Sequence, residues 1–241
     1  MLLGLHLSIN LGAKLGLAAM APPVPSSFAG GAEALALVVL LTEFAMLRAP
    51  LSRSQVRLYA FQSLAVSGLA AFVAVSQHLV ELYALAGLSF ALKVVLVPGI
   101  ILRVLRDARV EAAATHRLGV ATMVLCAIAI SVFGFVVVGR LPVHSRSLPA
   151  PALGIATAVV LVAFLLVILR ADVVSQAVGF FSLENGVSVA SLVVAARLPL
   201  IVEVAFLFDL LVAVVVFGVL MRVHHGRTQS LSTQTLDRLR G

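Results

Sequence analysis

The sequence predicts an all-α fold, a polytopic transmembrane bundle of about seven spanning helices. Three observations lead there. Hydrophobic residues make up 62% of the 241 and charged residues only 11%, where a soluble domain carries roughly 25% charged residues. A surface so poor in charge must face something apolar. The apolar residues fall into seven runs, each near the roughly 20 residues a spanning helix needs. The basic residues collect in the short segments between runs, where they act as topology signals.

Residues 1–28 form an N-terminal leader or extension. Leu2 to Met20 is moderately apolar but broken by Asn10, Gly12 and Lys14, and Pro22, Pro23 and Pro25 end any helix. The segment reads equally as a poor signal peptide, an extension upstream of the true start, or an interfacial helix. The bundle occupies residues 29–223, with spans expected near Gly31–Leu47, Val56–Ser76, Leu79–Leu102, Leu118–Val138, Ala150–Leu169, Val173–Ala195 and Leu198–Met221. In lipid every backbone polar group must find its partner within the segment, so these runs should be helices. Residues 224–241 form a short polar tail.

Orientation follows from the basic residues. Arg48, Arg53 and Arg57, then Arg103, Arg106, Arg109 and Arg117, then Arg170, then Arg222, Arg227, Arg238 and Arg240 fall on one side, twelve of the seventeen Lys and Arg. Lys14, Arg140, Arg146 and Arg197 fall on the other, and Lys93 lies within a span. That asymmetry predicts a cytoplasmic C-terminus. The net charge of +7 is spread over these loops and not along one basic stripe, so nucleic acid is rejected as a partner. The single cysteine, Cys126, excludes a disulfide framework and a cysteine-bound cluster. The six histidines lie in the leader, the loops and the tail, away from where a haem between spans would be held. No nucleophile–base pair or metal-ligand cluster points to an enzyme, and no catalytic site is expected in this chain.

The informative residues are ionisable groups at membrane depth, each costing roughly 2.5–3.5 kcal/mol on insertion scales. Lys93 sits past the middle of the third run, five residues before Pro98. Pro98 lacks an N–H, so the carbonyl of Val94 should lose its helical partner and mark a polar spot or a kink. A snorkelling lysine is the alternative. Glu184 lies near the centre of the sixth run, beside Asn185 and Ser182 and between Gly179 and Gly186. Its short stem cannot reach either interface, so it is paired with a lysine, protonated, or hydrated. Asp209 is near the middle of the seventh run, and Glu203 sits further out. Their six-residue gap turns them to different faces. Glu33 reads as an interfacial acid, and Glu43 as an acid near the end of its run within reach of Arg48. Glu184, Lys93, Asp209 and Glu203 are the proton-path candidates, with Ser182, Asn185 and Pro98 in support.

Several stretches resemble a known family. Arg57-Leu58-Tyr59-Ala60-Phe61-Gln62-Ser63-Leu64, Leu92-Lys93-Val94-Val95-Leu96-Val97-Pro98, Gly179-Phe180-Phe181-Ser182-Leu183-Glu184-Asn185-Gly186 and Arg197-Leu198-Pro199-Leu200-Ile201-Val202-Glu203 are similar to the hydrogenase-4 component E family of membrane proteins. The resemblance covers roughly residues 30–241. From about Gly179 the chain also resembles the small K subunit of respiratory complex I, with Glu184 matching its first buried carboxylate. Asp209 stands near the second, with Asp in place of Glu and about one helical turn displaced. The resemblance implies an integral subunit of a hydrogenase-4 or formate-hydrogenlyase-like, complex I-related assembly in a bacterial or archaeal cytoplasmic membrane. Antiporter-like membrane subunits and peripheral hydrogenase or dehydrogenase subunits would be its partners. The nickel–iron and iron–sulfur centres would belong to those partners, with no cofactor in this chain. Two other readings use the same buried charges: a component of a cation/proton antiporter, and a non-conducting scaffold subunit of the same complex.

Overall fold

The computed structural model describes residues 26–78, 80–107, 119–138, 148, 150–194 and 218. All regular structure among them is helical. In chain order the helices are α1 (Ser26–Arg48), α2 (Ser52–Gln77), α3 (Val80–Ser89), a π-helical segment (Phe90–Leu96), α4 (Val97–Asp107), α5 (Val120–Val138), α6 (Ala150–Leu169) and α7 (Val173–Val194). α3, the π segment and α4 run on as one span. Among the described residues six helices are therefore long and apolar enough to cross a membrane, and this is a multi-pass membrane bundle. The expected seventh span, Leu198–Met221, lies outside the described residues.

Local chemistry sets the helix ends. Pro50 cannot continue α1, and α2 begins two residues later. α2 closes on His78, whose left-handed backbone (φ 53°) turns its N–H onto the carbonyl of Ala74. Pro151 stands in the first turn of α6, where its missing N–H costs nothing. Asp172 caps α7, its Oδ1 accepting the N–H of Ser175 at 2.8 Å.

α1, α2, α6 and α7 form the centre of the bundle. α6 packs most extensively on α7, and α2 lies against both α1 and α7. The third span flanks α2, and α5 flanks α6. The intimacy of α6 and α7 comes from two glycines. A Cβ at Gly179 would lie 3.2 Å from the backbone nitrogen of Val167, and one at Gly186 would lie 3.0 Å from that of Val160. Only a hydrogen fits there, and the small-residue spacing lets the two backbones approach. Outward-facing Leu41, Leu125, Phe133 and Phe164 are exposed, the pattern of a surface turned to lipid.

The interior has two apolar clusters stacked along the bundle axis. One gathers Val39, Val66, Leu85, Val159 and Val189 with their neighbours. The other gathers Met46, Tyr59, Val97, Val162 and Phe181. Among the described residues five spans pass from one cluster to the other, and four of them carry polar side chains at the crossing.

Candidate functional site

The crossing points define one polar layer. On α1 it is Glu43, between Val39 and Met46. On α2 it is Gln62 and Ser63, between Tyr59 and Val66. On the third span it is Lys93, between Leu85 and Val97, and on α7 it is Ser182, Glu184 and Asn185, between Phe181 and Val189. α6 contributes only apolar side chains here. Lys93 stands thirteen residues from each end of the Val80–Arg106 span, which places the layer near mid-membrane.

α7 divides the layer in two. At roughly 100° per residue, Ser182 and Asn185 share one side of the helix and Glu184 faces the other. On Glu184's side, the carboxylate Oε1 pairs with Lys93 Nζ at 3.1 Å. The ammonium also donates to Ser188 Oγ at 3.2 Å, and that hydroxyl donates to the Glu184 carbonyl at 2.9 Å. Lys93 is 1% exposed. It therefore turns inward to a counter-charge and does not snorkel.

The backbone explains why Lys93 points there. It sits within the π segment, where Val97 N–H bonds the carbonyl of Leu92, five residues back. In that register the bond Pro98 cannot make is the one to the carbonyl of Lys93 itself, not to Val94. The proline predicts a broken ladder, and the protein resolves it by widening a turn. Such π turns are rare and cluster at functional sites.

On the other side of α7, Glu43 is the centre. It is fully buried. Gln62 Nε2 donates to its Oε2 at 2.8 Å, and Ser182 Oγ hydrogen-bonds the same oxygen. Gln62 Nε2 also reaches the carbonyl of Val39 at 3.2 Å. Gln62 Oε1 lies 2.8 Å from Ser182 Oγ and accepts from Asn185 Nδ2 at 3.0 Å. Asn185 Nδ2 extends the web to Ser63 Oγ at 2.9 Å.

A second buried polar cluster lies at the end of the bundle, around Arg170. This guanidinium is 0% exposed, and its Nη2 donates to the carbonyls of Met46 (3.1 Å), Leu47 (2.8 Å) and Ala49 (3.1 Å). Met46 and Leu47 lie in the last turn of α1, whose carbonyls lack a continuing helix, and Met46 O also accepts the N–H of Ala49 at 3.3 Å. Gln55 Nε2 adds a bond to Met46 O at 3.0 Å, and Ser175 Oγ donates to Gln55 Oε1. Burial pulls the Arg170 guanidinium down to about 10, with the charge of Asp172 opposing the shift. Burial pushes the Asp172 carboxyl above its ordinary range, against the hydrogen bonds from Ser175 and the charge of Arg170.

Among the proton-path candidates, the structure brings Lys93 and Glu184 together. Ser182 and Asn185 join the web around Glu43. Asp209 and Glu203 lie outside the described residues. Glu33 is half-buried near the start of α1. The pairing of Glu43 with Arg48 is corrected. Arg48 is exposed at the helix end, and Glu43 bonds to α2 and α7 instead. Arg170, counted as a topology charge, is a buried cap. Gln55 and Gln62 are not among the sequence candidates, although their spacing of seven, two helical turns, puts two amides on one face of α2. No group of three or more His, Cys, Asp and Glu side chains is placed to hold a metal ion among the described residues.

Comparison with known proteins gives one informative match. The chain is 29% identical over 215 residues, 88% of its length, to the uncharacterized protein Rv0085 of Mycobacterium tuberculosis, of which the match covers 93%. No family model matches the chain, and no solved structure does.

Proposed function

We propose that this chain is a proton-conducting membrane subunit of a hydrogenase-4 or formate-hydrogenlyase-like, complex I-related assembly. The observation that carries the reading is the Lys93–Glu184 pair, held at 3.1 Å in the middle of the bundle by a distorted helix. Two opposite charges in a low-dielectric layer can exchange one proton. Transfer from Nζ to the carboxylate leaves a neutral amine and a neutral acid, and the return restores the ion pair. A charge arriving on either side biases that exchange, which is what a relay step requires.

In this reading Glu184 takes and releases the proton, Lys93 tunes it, and Asp209 and Glu203 continue the path. The redox chemistry belongs to partner subunits, with their nickel–iron and iron–sulfur centres, and the C-terminus is on the cytoplasmic side of the cell membrane. Support comes from the burial of Lys93 against a half-buried Glu184 and from the resemblance of the sequence around the two residues.

Two measurements test it. Purification of the tagged chain in mild detergent should bring down antiporter-like and iron–sulfur subunits. Recovery of the chain alone would favour a self-contained transporter. In inverted vesicles holding the assembled complex, Glu184→Gln should abolish proton pumping. Full pumping with normal assembly would overturn the relay.

A further inference from the structure

Glu43 is a carboxyl the relay above does not use. Its Oε1 has no hydrogen-bond partner, and no cation contacts it among the described residues. A bare, buried, ionised oxygen is among the most expensive groups a protein can hold. The hydrogen bonds around Oε2 show how the expense is avoided. Ser182 Oγ lies within reach of two acceptors, Glu43 Oε2 and Gln62 Oε1. A hydroxyl has one hydrogen, so it cannot serve both. Gln62 cannot resolve the conflict by turning its amide over. Its Nε2 faces the carbonyl of Val39, which only a donor can satisfy, and its Oε1 faces the Nδ2 donor of Asn185.

Two arrangements satisfy the web. With Glu43 ionised, Ser182 donates to Oε2 and leaves Gln62 Oε1 to Asn185. With Glu43 protonated, Oε2–H donates to Ser182 Oγ, and the serine hydrogen swings to Gln62 Oε1. The second arrangement uses every contact, and the bare Oε1 becomes a neutral carbonyl oxygen. The two arrangements join the same heavy atoms and differ in where the hydrogens sit.

We propose that Glu43, with Ser182 and Gln62, is a second proton-binding site in the polar layer, on the opposite side of α7 from Glu184. A hydronium ion gives up its proton, the Oε2–H bond forms, a water molecule leaves, and the Ser182 hydrogen turns from Glu43 to Gln62. The titratable groups on the described helices packed against α1 are Arg53, Arg57 and Tyr59 on α2, Cys126 on α5 and Glu184 on α7. None of them hydrogen-bonds or pairs with Glu43. The site goes beyond the proposed relay, and its test needs no partner subunit.

The experiment is pH-difference infrared spectroscopy of the full chain in lipid nanodiscs. The expected spectrum has a carboxylic-acid carbonyl band at neutral pH that is lost in Glu43→Gln and kept in Glu184→Gln. In Ser182→Ala the same band moves to higher frequency, because the acid loses its acceptor. If every acid band survives Glu43→Gln, the proposal is wrong. It is equally wrong if sodium chloride, against choline chloride at fixed pH, erases the band, since the site would then hold a metal cation. Should Glu43→Gln fail to fold, Ser182→Ala decides: a shifted acid band supports the site and an unchanged spectrum overturns it. Loss or retention of pumping in Glu184→Gln does not alter these spectra, so the two proposals fail separately.

Discussion

The mid-membrane layer and the Arg170 corner are both buried, both charged and both built on α7, yet they are wired differently. At the corner, one guanidinium nitrogen donates to three carbonyls of a helix end, and the neighbouring carboxylate caps the next helix. These contacts are to backbone, which cannot change its protonation. In the layer, Glu184 meets an ammonium, and Glu43 meets an amide and a hydroxyl. Those are side-chain partners, able to rotate or exchange a hydrogen. A buried charge alone therefore says little about function. Whether its partners are fixed backbone or adjustable side chains separates a staple from a site.

Breaking the corner should have the largest effect on stability. Arg170→Met leaves three carbonyls without the guanidinium, and we expect a loss of about 3 kcal/mol or more, since each buried acceptor left unsatisfied costs about 1–3 kcal/mol. Thermal unfolding in detergent measures it. If the variant melts like the wild type, the corner is not a staple.

The layer should respond differently to paired changes. Lys93→Met alone leaves Glu184 without its cation and should cost about 3 kcal/mol. Lys93→Met with Glu184→Leu should recover most of that loss while proton pumping stays abolished. A double variant that pumps normally would move the pair to the structural side of the comparison. The α6–α7 contact sharpens the same point from the packing side. Gly186→Ala places a methyl 3.0 Å from a backbone nitrogen and should cost about 1–3 kcal/mol, read as a lowered midpoint.

The smallest effects are expected at Asp172. Asp172→Ala removes the α7 cap for about 1 kcal/mol, whereas Asp172→Asn keeps it. The pH dependence follows from the raised proton affinity of the folded carboxyl. In the window just above its ordinary value of 3.8, the folded state binds a proton that the unfolded state has released. Its contribution to stability is therefore fully present below 3.8 and is lost as pH rises through the folded value. The midpoint of the wild type relative to Asp172→Asn should accordingly improve on acidification. A difference that is flat with pH would mean the carboxyl is not perturbed.

The spans were legible because long apolar runs have few other meanings, and Lys93 and Glu184 stood out as rare charges far from any run's end. Glu43 reads as shallow in the sequence because Arg48 follows it by five residues. Counted along α2 and α7, the same layer lies ten residues past Ser52 at Gln62 and eleven past Val173 at Glu184. α1 simply stops deeper, where Arg170 receives it. That is a tertiary fact, and an arginine following an apolar run looks like a headgroup anchor until its partners are known. The pairing of Gln62 with Glu43, 19 residues apart, likewise needs the packing of α1 on α2. The twin-amide face of α2 was the one local clue.

The two dry clusters above and below the polar layer also act as insulation. A membrane voltage drops across the apolar slabs, while the layer between them sits close to halfway. Moving one elementary charge from either surface to Lys93's level would then tap about half the field, roughly 1.2 kcal/mol for each 100 mV. Occupancy of the layer would report the electrical state of the membrane as well as its acidity.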